Sequence, residues 1–443
     1  MKYKLSCFNY FVPDGDALRM YNSLSGKYSL LYIFPENVKF VEAIINDVNN
    51  AIWIGNPIFE ILKDRGFIIP ENTNEDRLVD LKYNDVINSS TLFLIILPTE
   101  KCNFHCKYCY ESHQKGRMSD DIQNGIVKFV QKNIKYYSGL CVSWFGGVPL
   151  EGLDIIESMS TKFIEICRVA RKSYSASITT NGYDLNKDIF VKLLTLKVYN
   201  YQITIDGTET IHDSFRVLLN GNGTYKQIIE NLKAIKQIRK NSFMITIRSN
   251  FSKELFAQIE DYLNLLNELF GDDERFSLSV HQIGNWGGDD IDSVQESIME
   301  FDSYRQILKK IVQLKPKISM DAHLIDLDLS SSLCYAAGRN QFVIASDGEI
   351  HKCTEDFESD FNHLGFINKN GDMQLDEEKL AVWMGLSKSN KCKTKCKYYG
   401  SCAGNVCPKV ALNNSSDYTS CPNTAVAIPE TLLLINRNNY KEI

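Results

Sequence analysis

Three cysteines lie within eight positions of one another and have no fourth cysteine beside them. They are Cys102, Cys106 and Cys109, in the segment CNFHCKYC, and the next one, Cys141, follows 32 residues later. A structural zinc site needs four closed tetrahedral ligands, so zinc is an alternative that this spacing serves poorly. On an iron–sulfur cluster of four irons, three thiolates leave one iron without a protein ligand. Because reactants bind at open metal positions, the spacing predicts a reactive iron–sulfur site.

A second set of seven cysteines lies toward the other end of the chain. Its members are Cys334, Cys353, Cys392, Cys396, Cys402, Cys407 and Cys421. The first pair has the pattern Cys-x13-Gly-x4-Cys, and the run from 392 to 407 has gaps of three, five and four residues. Seven ligands exceed one zinc site and nearly fill two four-iron clusters, with two zinc ribbons as the alternative.

Composition restricts the class of protein. The chain has 443 residues, 44% apolar and 23% charged, which is typical of a globular protein of two or three domains. We find no signal-peptide core and no apolar run of the roughly 20 residues that span a bilayer. We therefore expect a cytoplasmic location and no membrane partner, and because that compartment is reducing, the clustered cysteines are better interpreted as metal ligands than as disulfides. The net charge of −6 argues against nucleic-acid binding.

A regular alternation of strand-like and helix-like segments runs from residue 91 to residue 280. The predicted strands cover 91–99, 141–145, 175–179, 201–205, 243–249 and 275–280. The predicted helices cover 119–137, 153–171, 186–197, 224–239 and 252–269. Strands joined by crossover helices indicate a parallel sheet, either open or curled.

Residue types suited to ligand binding follow these strands at their carboxyl ends. They are Cys102, Gly146-Gly147, Thr180-Asn181-Gly182 and Asp206-Gly207. In parallel sheets the carboxyl ends of the strands carry the active site, because loops there can vary without disturbing the core. We therefore expect these segments to meet around one site.

The segment CNFHCKYC resembles the C-x3-C-x2-C motif of the radical S-adenosylmethionine (SAM) superfamily, including the aromatic residue, Tyr108, before the last cysteine. The resemblance implies an α/β fold with a partial (β/α)6 TIM-like barrel, here over residues 91–315. It implies a 4Fe-4S cluster on Cys102, Cys106 and Cys109, whose open iron chelates the amino and carboxylate groups of SAM. Reductive cleavage of SAM then gives methionine and a 5′-deoxyadenosyl radical, which abstracts a hydrogen atom from the substrate.

Three further segments match the superfamily in order. WFGGVPLEG (144–152) resembles the glycine-rich strand end that receives the SAM amino group. TTNG (179–182) resembles the segment below the adenosine, and ITIDGTETIHDSFR (203–216) resembles a hydroxyl-x-Asp-Gly motif followed by an arginine. The resemblance implies SAM contacts from Tyr108, Gly146, Gly147, Thr180, Asn181, Thr204 and Arg216, the last a guanidinium for the carboxylate.

One position departs from the superfamily pattern. The glutamate of the glycine-rich strand end is Val148 here, and valine cannot accept a hydrogen bond from an ammonium group. A hydrogen bond of that kind is worth about 1.5–3 kcal/mol. The substitution leaves SAM binding weaker, dependent on backbone carbonyls, or lost.

The second cysteine set resembles the SPASM extension of radical SAM peptide and protein maturases, predicted over residues 316–425. The resemblance implies a first auxiliary cluster on Cys334, Cys353 and Cys407. It implies a second one on Cys392, Cys396, Cys402 and Cys421, which makes three 4Fe-4S clusters in all. No cysteine precedes Cys334 closely, so the first auxiliary cluster either has an open iron or takes Asp328 or His323 as a ligand.

The three remaining cysteines, Cys7, Cys141 and Cys167, belong to neither set. We expect them to be small buried apolar residues rather than ligands.

Residues 1–90 read as a small separate α+β domain. They contain nine Lys or Arg and twelve Asp or Glu, a net of −3, which opposes contact with phosphates. Peptide maturases often carry a winged-helix-like domain that holds the leader of the precursor peptide, and such a domain can take an extended peptide as an added strand. A purely structural cap is the alternative. Residues 426–443 are expected to form a C-terminal tail.

The resemblance thus implies an oxidoreductase that modifies a ribosomally made peptide, first of all by a cysteine thioether or another cross-link. A reducing partner such as a flavodoxin or ferredoxin would supply electrons. One alternative is oxidation of a serine or cysteine to formylglycine, as in anaerobic sulfatase maturation, although Thr354 stands where those enzymes place an aspartate base. The other is a degenerate peptide-binding scaffold, because of Val148.

Overall fold

The computed structural model describes residues 1–240, 242–284, 291–300, 303–385, 396–404, 407–409 and 423–443. The N-terminal part contains strands β1 Tyr3–Leu5, β2 Asn9–Asp14, β3 Ala17–Asn22, β4 Leu31–Ile33 and β5 Ile68–Pro70. Its helices are α1 Pro35–Asn46, α2 Pro57–Asp64 and α3 Glu75–Ile87.

The central part alternates strands and helices as the sequence predicts. Its strands are β6 Thr91–Ile96, β7 Phe104–Cys106, β8 Gly139–Trp144, β9 Ser173–Thr180, β10 Val198–Thr204, β11 Arg216–Leu218, β12 Met244–Phe251 and β13 Phe276–Gln282. Its helices are α4 Asp120–Asn133, α5 Leu153–Ala170, α6 Lys187–Thr195, α7 Glu209–Phe215, α8 Tyr225–Lys236, α9 Lys253–Ala257, α10 Ile259–Phe270 and α11 Ser303–Leu314.

The C-terminal part is made of shorter elements. Its helices are α12 Leu329–Ser332, α13 Glu377–Gly385, α14 Tyr399–Cys402 and α15 Asn423–Leu434. Its strands are β14 Gln341–Ile344, β15 Glu349–His351, β16 His363–Ile367, β17 Met373–Leu375 and β18 Lys441–Glu442.

A ten-stranded sheet joins the central and C-terminal parts. Its strand order is β13-β12-β10-β9-β8-β6-β14-β15-β16-β17. All pairs from β13 to β14 are parallel, and the hairpins from β14 to β17 are antiparallel. The mixed α/β fold with a parallel, helix-crossed sheet is confirmed. The sheet continues through β14 across the predicted boundary at residue 315.

The parallel strands alternate between an apolar face and a polar face. Residues such as Leu94, Val142 and Ile203 are fully buried and pack with the crossover helices in the main apolar cluster. On β8, β10 and β12 the other face carries half-buried polar residues such as Ser143, and two of them, Gln202 on β10 and Thr246 on β12, are paired in register, whereas on β6 this face carries Phe93 and Ile95. Because side chains alternate along a strand, this pattern buries one face and leaves the other for a ligand.

The N-terminal and C-terminal parts share a second sheet, with the order β18-β4-β3-β2. Met20 and Ile33 pack with α1 and α2 on one face of this sheet. Tyr21 and Tyr32 pack with α15 residues, among them Leu432, on the other face. Residues 426–443 are therefore packed against the N-terminal sheet over most of their length.

The three cysteines outside both predicted ligand sets differ in how far they are exposed. Cys167 is buried as expected and Cys141 is half-buried, but the prediction for Cys7 is wrong because Cys7 is exposed. Cys7 lies in the turn between β1 and β2, where its N–H donates to the Glu75 carboxylate at 3.2 Å.

In the part of the chain that the structure describes, no helix is long and apolar enough to cross a bilayer.

The turn after β8 packs directly on the loop that begins the cysteine segment. Gly146 has φ +111°, and a Cβ there would lie 2.3 Å from the Thr99 carbonyl oxygen. At Gly147 a Cβ would lie 2.3 Å from the Lys101 carbonyl oxygen. Because neither backbone can move without the other, the two glycines fix the start of the cysteine segment relative to the sheet.

We expect Gly146→Ala to lower the free energy of unfolding by about 1–3 kcal/mol from backbone strain alone, with the clash added to that. Urea unfolding of the purified chain measures the difference. The matched control is Gly116→Ala, since Gly116 is exposed and nothing lies within 4 Å of a Cβ there. Equal stability of the two variants would contradict the close packing of these loops.

Candidate functional site

The cysteine segment is held by a short antiparallel hairpin between β7 and β11. Cys106 pairs in register with Arg216, so the predicted cluster ligand and the predicted carboxylate ligand lie side by side. The Phe104 N–H donates to the Cys102 sulfur at 3.4 Å, and the Cys109 N–H donates to the Cys106 carbonyl at 3.0 Å. The segment is thus ordered by backbone hydrogen bonds.

The three thiols lie close enough to affect one another. Burial raises the pKa of Cys102 to about 12, and the neighbouring Cys106 and Cys109 raise it further. Burial likewise raises the pKa of Cys106 to about 11, against the lowering effect of Arg216. Burial raises the pKa of Cys109 to about 11 as well, so as free thiols all three stay protonated at neutral pH. Thiolates become favourable here when they bind a metal, which deprotonates its thiol ligands.

Arg216 stands at the centre of a buried polar cluster beside the thiols. Its Nη1 donates to the Tyr108 hydroxyl at 2.8 Å, and that hydroxyl donates to the Asp206 carboxylate. Asn250 completes the cluster, since its backbone N–H donates to Asp206 Oδ1 at 2.7 Å. Burial by itself lowers the pKa of Arg216, but Cys106, Tyr108 and Asp206 outweigh burial and raise it. The guanidinium therefore stays charged in this site.

The Nε of Arg216 is buried and has no hydrogen-bond partner among the described residues. The residue as a whole is 7% exposed. A buried, unsatisfied donor on a charged group is costly unless a ligand completes it. A carboxylate fits this position by charge and by geometry.

His212 is linked to the backbone of Arg216 by hydrogen bonds through Thr224. Its Nδ1 accepts the Asp206 N–H at 3.2 Å, so its Nε2 carries the proton and faces the Thr224 hydroxyl at 3.1 Å. The Thr224 hydroxyl donates to the Arg216 carbonyl at 2.8 Å. Burial lowers the pKa of His212 well below its usual value, and Arg216 lowers it further. This chain of hydrogen bonds requires a neutral imidazole.

The predicted SAM-binding segments approach the same cysteine segment from neighbouring strands. Asn181 Nδ2 donates to the Asn103 side chain at 2.8 Å, which brings the TTNG segment to the residue after Cys102. Thr180 ends β9, and its hydroxyl accepts the Gly182 N–H at 3.3 Å. Thr204 ends β10 with 9% exposure. With Gly146, Gly147, Tyr108 and Arg216, all seven predicted SAM contacts therefore border one region at the carboxyl ends of the strands.

Val148 follows the two glycines predicted to contact SAM, but its side chain lies in the apolar core. Its side chain is fully buried in the main apolar cluster, and its N–H donates to the Lys101 carbonyl at 2.9 Å. Its backbone therefore holds the cysteine segment, while its side chain contributes only to packing.

The thiols of Cys334, Cys353 and Cys407 also come together. Burial raises the pKa of Cys334 to about 12, with Cys407 and Glu355 as further causes. Burial raises the pKa of Cys353 as well, followed among neighbouring groups by Cys334, Glu355 and Cys407. These three cysteines, predicted to hold one cluster, thus interact electrostatically around the Glu355 carboxylate.

The other predicted auxiliary ligands are only partly described. Cys396 and Cys402 both raise the pKa of Tyr10, after burial, so both lie beside the N-terminal sheet. Cys392 and Cys421 lie outside the described residues. The two alternative ligands are engaged elsewhere: Asp328 accepts the Lys27 N–H at 3.0 Å, and His323 Nε2 accepts the Val280 N–H at 3.3 Å.

Glu111 and Glu355, two acidic residues near the cysteine sets, were not predicted as part of the SAM site. Burial raises the pKa of Glu111 to about 7, with His113 lowering it and Glu100 raising it. After burial, Glu111 and Glu355 both raise the pKa of Tyr110, so this residue, which follows Cys109, lies near both carboxylates. Asn250 was also missed, although it is a polar residue near the carboxyl end of β12, as Thr204 is on β10.

Comparison with known proteins identifies the class of this site. Residues 96–265 match the family model of the Radical SAM superfamily, so the chain carries a radical SAM domain. Domains of this superfamily use SAM and a 4Fe-4S cluster for redox chemistry. The buried thiols and the incomplete guanidinium of Arg216 fit both groups. Within the described ranges, no three His, Cys, Asp or Glu side chains form a group of the kind that holds a single metal ion.

The chain is similar to several known proteins, three of which are described in turn. The cysteine-type anaerobic sulfatase-maturating enzyme of Clostridium novyi (strain NT) is 24% identical over 341 residues, 70% of this chain and 87% of the relative. Native anSMEcpe with bound AdoMet and Cp18Cys peptide is 19% identical, with a TM-score of 0.57 over 77% of this chain and 95% of that chain. Streptococcus suis SuiB bound to its precursor peptide SuiA is 16% identical, with a TM-score of 0.54 over 95% of this chain and 99% of that chain. The two structures establish likeness of fold.

The buried neutral His212 predicts a loss of stability in acid. Its pKa is depressed in the fold, so its contribution is present above about pH 6.5, the pKa of an unfolded histidine, and decreases as the pH falls below that value. Each such histidine lowers the free energy of unfolding by up to about 1.4 kcal/mol per pH unit.

Urea unfolding between pH 7 and about pH 5 measures this slope. We expect His212→Gln to reduce the slope by about one proton. The control variant His105→Gln, whose ring is exposed, is expected to keep the slope of the parent chain. An unchanged slope in the His212 variant would show that this ring is not buried neutral.

Proposed function

We propose that this chain is a radical SAM peptide maturase that uses three 4Fe-4S clusters and forms a cross-link, first of all a cysteine thioether, in a ribosomally made peptide. The observation that supports it is that Tyr110, the residue after Cys109, lies near Glu355, whose carboxylate in turn lies near Cys334 and Cys353, since Glu355 raises the pKa of each of them after burial. A second redox centre beside the first suits a reaction that removes two electrons from its substrate.

The residues of the chain have separable tasks in this proposal. When bound, the cluster and SAM supply a 5′-deoxyadenosyl radical. Arg216 binds the SAM carboxylate, while Tyr108 and Asp206 hold the guanidinium in place. Gly146 and Gly147 keep the backbone close enough to receive the amino group. Half-buried polar side chains on the inner face of the sheet, such as Gln202, line the substrate space.

The thioether reaction balances with two redox steps. One hydrogen atom leaves a substrate carbon for the 5′-deoxyadenosyl group, and the substrate thiol loses its proton. Carbon–sulfur bond formation then releases one electron, which a cluster held by Cys334, Cys353 and Cys407 would accept. Because Asp328 and His323 already have protein partners, we favour the alternative in which this cluster would keep an iron open for the substrate thiolate.

The proposed substrate is a precursor peptide, and the proposed electron donor is a flavodoxin or ferredoxin. SuiB, which shares the fold over nearly its whole length, was solved with its precursor peptide SuiA. The winged-helix-like N-terminal domain would hold the leader. A cytoplasmic location suits this substrate and this donor.

Formylglycine formation is the second candidate, because a relative over most of its length is a sulfatase-maturating enzyme. The local chemistry favours it less. Thr354 follows Cys353, and its hydroxyl lies 2.9 Å from the Tyr335 hydroxyl. Asp356, the next aspartate, is engaged in an ion pair with Lys409 at 3.2 Å.

Anaerobic incubation of the reconstituted chain with SAM and dithionite is expected to release 5′-deoxyadenosine. Cys102→Ala is expected to abolish release, because a cluster ligand is lost, whereas Cys7→Ala is expected to leave it unchanged. If the parent chain releases none and Val148→Glu restores release, the degenerate-scaffold alternative is correct.

Cys334→Ala is expected to lower the iron content by about four atoms per chain while leaving 5′-deoxyadenosine release in place. Iron analysis and chromatography measure the two quantities. Full iron content in this variant would contradict the first auxiliary cluster.

Co-expression with candidate short open reading frames identifies the reaction. A cross-link lowers the peptide mass by about two daltons, since one hydrogen atom and one thiol proton with its electron are lost. Recovery of every candidate peptide at its unmodified mass would contradict the proposed reaction class.

A further inference from the structure

Residues 441–443 occupy an edge of the N-terminal sheet. They run parallel to β4, with Lys441 opposite Leu31 and Glu442 opposite Tyr32. The Lys441 N–H donates to the Leu30 carbonyl at 3.0 Å, and the Ile443 N–H donates to the Tyr32 carbonyl at 2.9 Å. The Phe34 N–H in turn donates to the Ile443 carbonyl at 2.9 Å. These residues use hydrogen-bonding groups that an added strand would need.

The opposite edge of this sheet is poorly suited to a further strand. That edge is β2, which contains Pro13, and proline has no N–H to donate to a ladder. By contrast, β4 has all three of its side chains buried, which fixes its backbone firmly. A strand arriving at this sheet is therefore expected at β4.

Residues 441–443 are held less firmly than Tyr440. Lys441 and Glu442 are exposed, and parallel pairing is slightly less stable per residue than antiparallel pairing. The other contacts of this strand are an ion pair of Glu442 with Arg437 at 2.8 Å and the partly buried side chain of Ile443, which packs beside α1 and α2. Tyr440, in contrast, is buried, donates its hydroxyl to the Leu432 carbonyl at 2.7 Å, and lies under the Arg19 guanidinium. Residues 441–443 can thus leave the edge while Tyr440 stays in place.

We propose that the β4 edge binds an extended segment of the peptide substrate and that residues 441–443 occupy this edge until the peptide displaces them. The inference rests on the proposed function for the identity of the peptide. Strand addition supplies affinity through backbone hydrogen bonds and needs little side-chain specificity. Because only the open fraction of molecules can bind, the resident strand lowers the apparent affinity by that fraction.

The test removes residues 441–443 from the full chain and measures binding of a fluorescein-labelled peptide, RNNYKEI, which reproduces residues 437–443. We expect the truncated chain to bind this probe about tenfold more tightly than the parent chain, by fluorescence anisotropy. A matched control peptide carries proline in place of Lys441 and Ile443 and is expected not to bind. Equal or weaker binding by the truncated chain overturns the proposal, because a peptide that adds outside β18 would lose affinity on truncation.

A point variant guards against general damage from the truncation. Lys441→Pro removes one N–H donor to β4 and keeps the length of the chain, so it is expected to change affinity in the same direction by a smaller factor. Hydrogen exchange of the parent chain gives an independent measure: the Phe34 and Ile443 amides should exchange faster than the amides of β3. Protection of these two amides equal to that of β3 would also overturn the proposal.

The outcome is separable from that of the proposed function. SAM cleavage needs no peptide at the β4 edge, so the truncated chain is expected to release 5′-deoxyadenosine as the parent does. Release without tighter probe binding overturns the inference and leaves the proposed function standing. Tighter probe binding without release from either chain upholds strand exchange at this edge and overturns the proposed function.

Discussion

A buried positive charge organises the candidate site. Arg216 lies opposite Cys106 in a two-stranded hairpin and contacts Tyr108, whose hydroxyl reaches Asp206 at the end of β10. Removing a guanidinium from water is costly, and here the Tyr108 hydroxyl and the Asp206 carboxylate, from two separate segments, offset that cost. The interaction therefore joins the cysteine segment to the sheet, and the buried Nε of Arg216 has no partner among the described residues.

Charge balance also explains why burial of the thiols is tolerated. Three buried thiols near one another resist ionisation, as their raised pKa values indicate, so the metal-free site is neutral at sulfur. Carboxylates lie near both groups, Glu111 near Cys106 and Cys109 and Glu355 near Cys334 and Cys353, but the cation beside Cys334 is Lys352 where the first group has Arg216. The two cysteine groups thus offer different electrostatic surroundings, which is how proteins tune the potentials of similar clusters.

Much of the fold follows from local patterns in the sequence. The strand and helix periods located β6, β8, β9, β10, β12 and β13 to within a few residues, because buried parallel strands and amphipathic helices have strong signatures. The β7–β11 hairpin was not predicted, since three-residue strands have no period of their own and depend on Arg216 finding its partners. The path of β14 beside β6 and of Lys441 beside Leu31 arises from tertiary packing over more than 200 residues, which no local pattern encodes. Within the site, residues in recognisable motifs were found, whereas Asn250 needed the sheet register to bring it near Tyr108.

The parallel pairing of β14 with β6 carries a mechanical consequence. Four residue pairs link these strands, from Gln341 opposite Phe93 to Ile344 opposite Ile96, so the parallel strands of the central part and the C-terminal hairpins form one continuous hydrogen-bonded slab. A slab of this kind resists hinge bending, unlike enzymes that close two lobes around a reactant. The distance between the cysteine segment after β6 and Cys353 after β15 is then set by strand pairing rather than by the angle between two lobes.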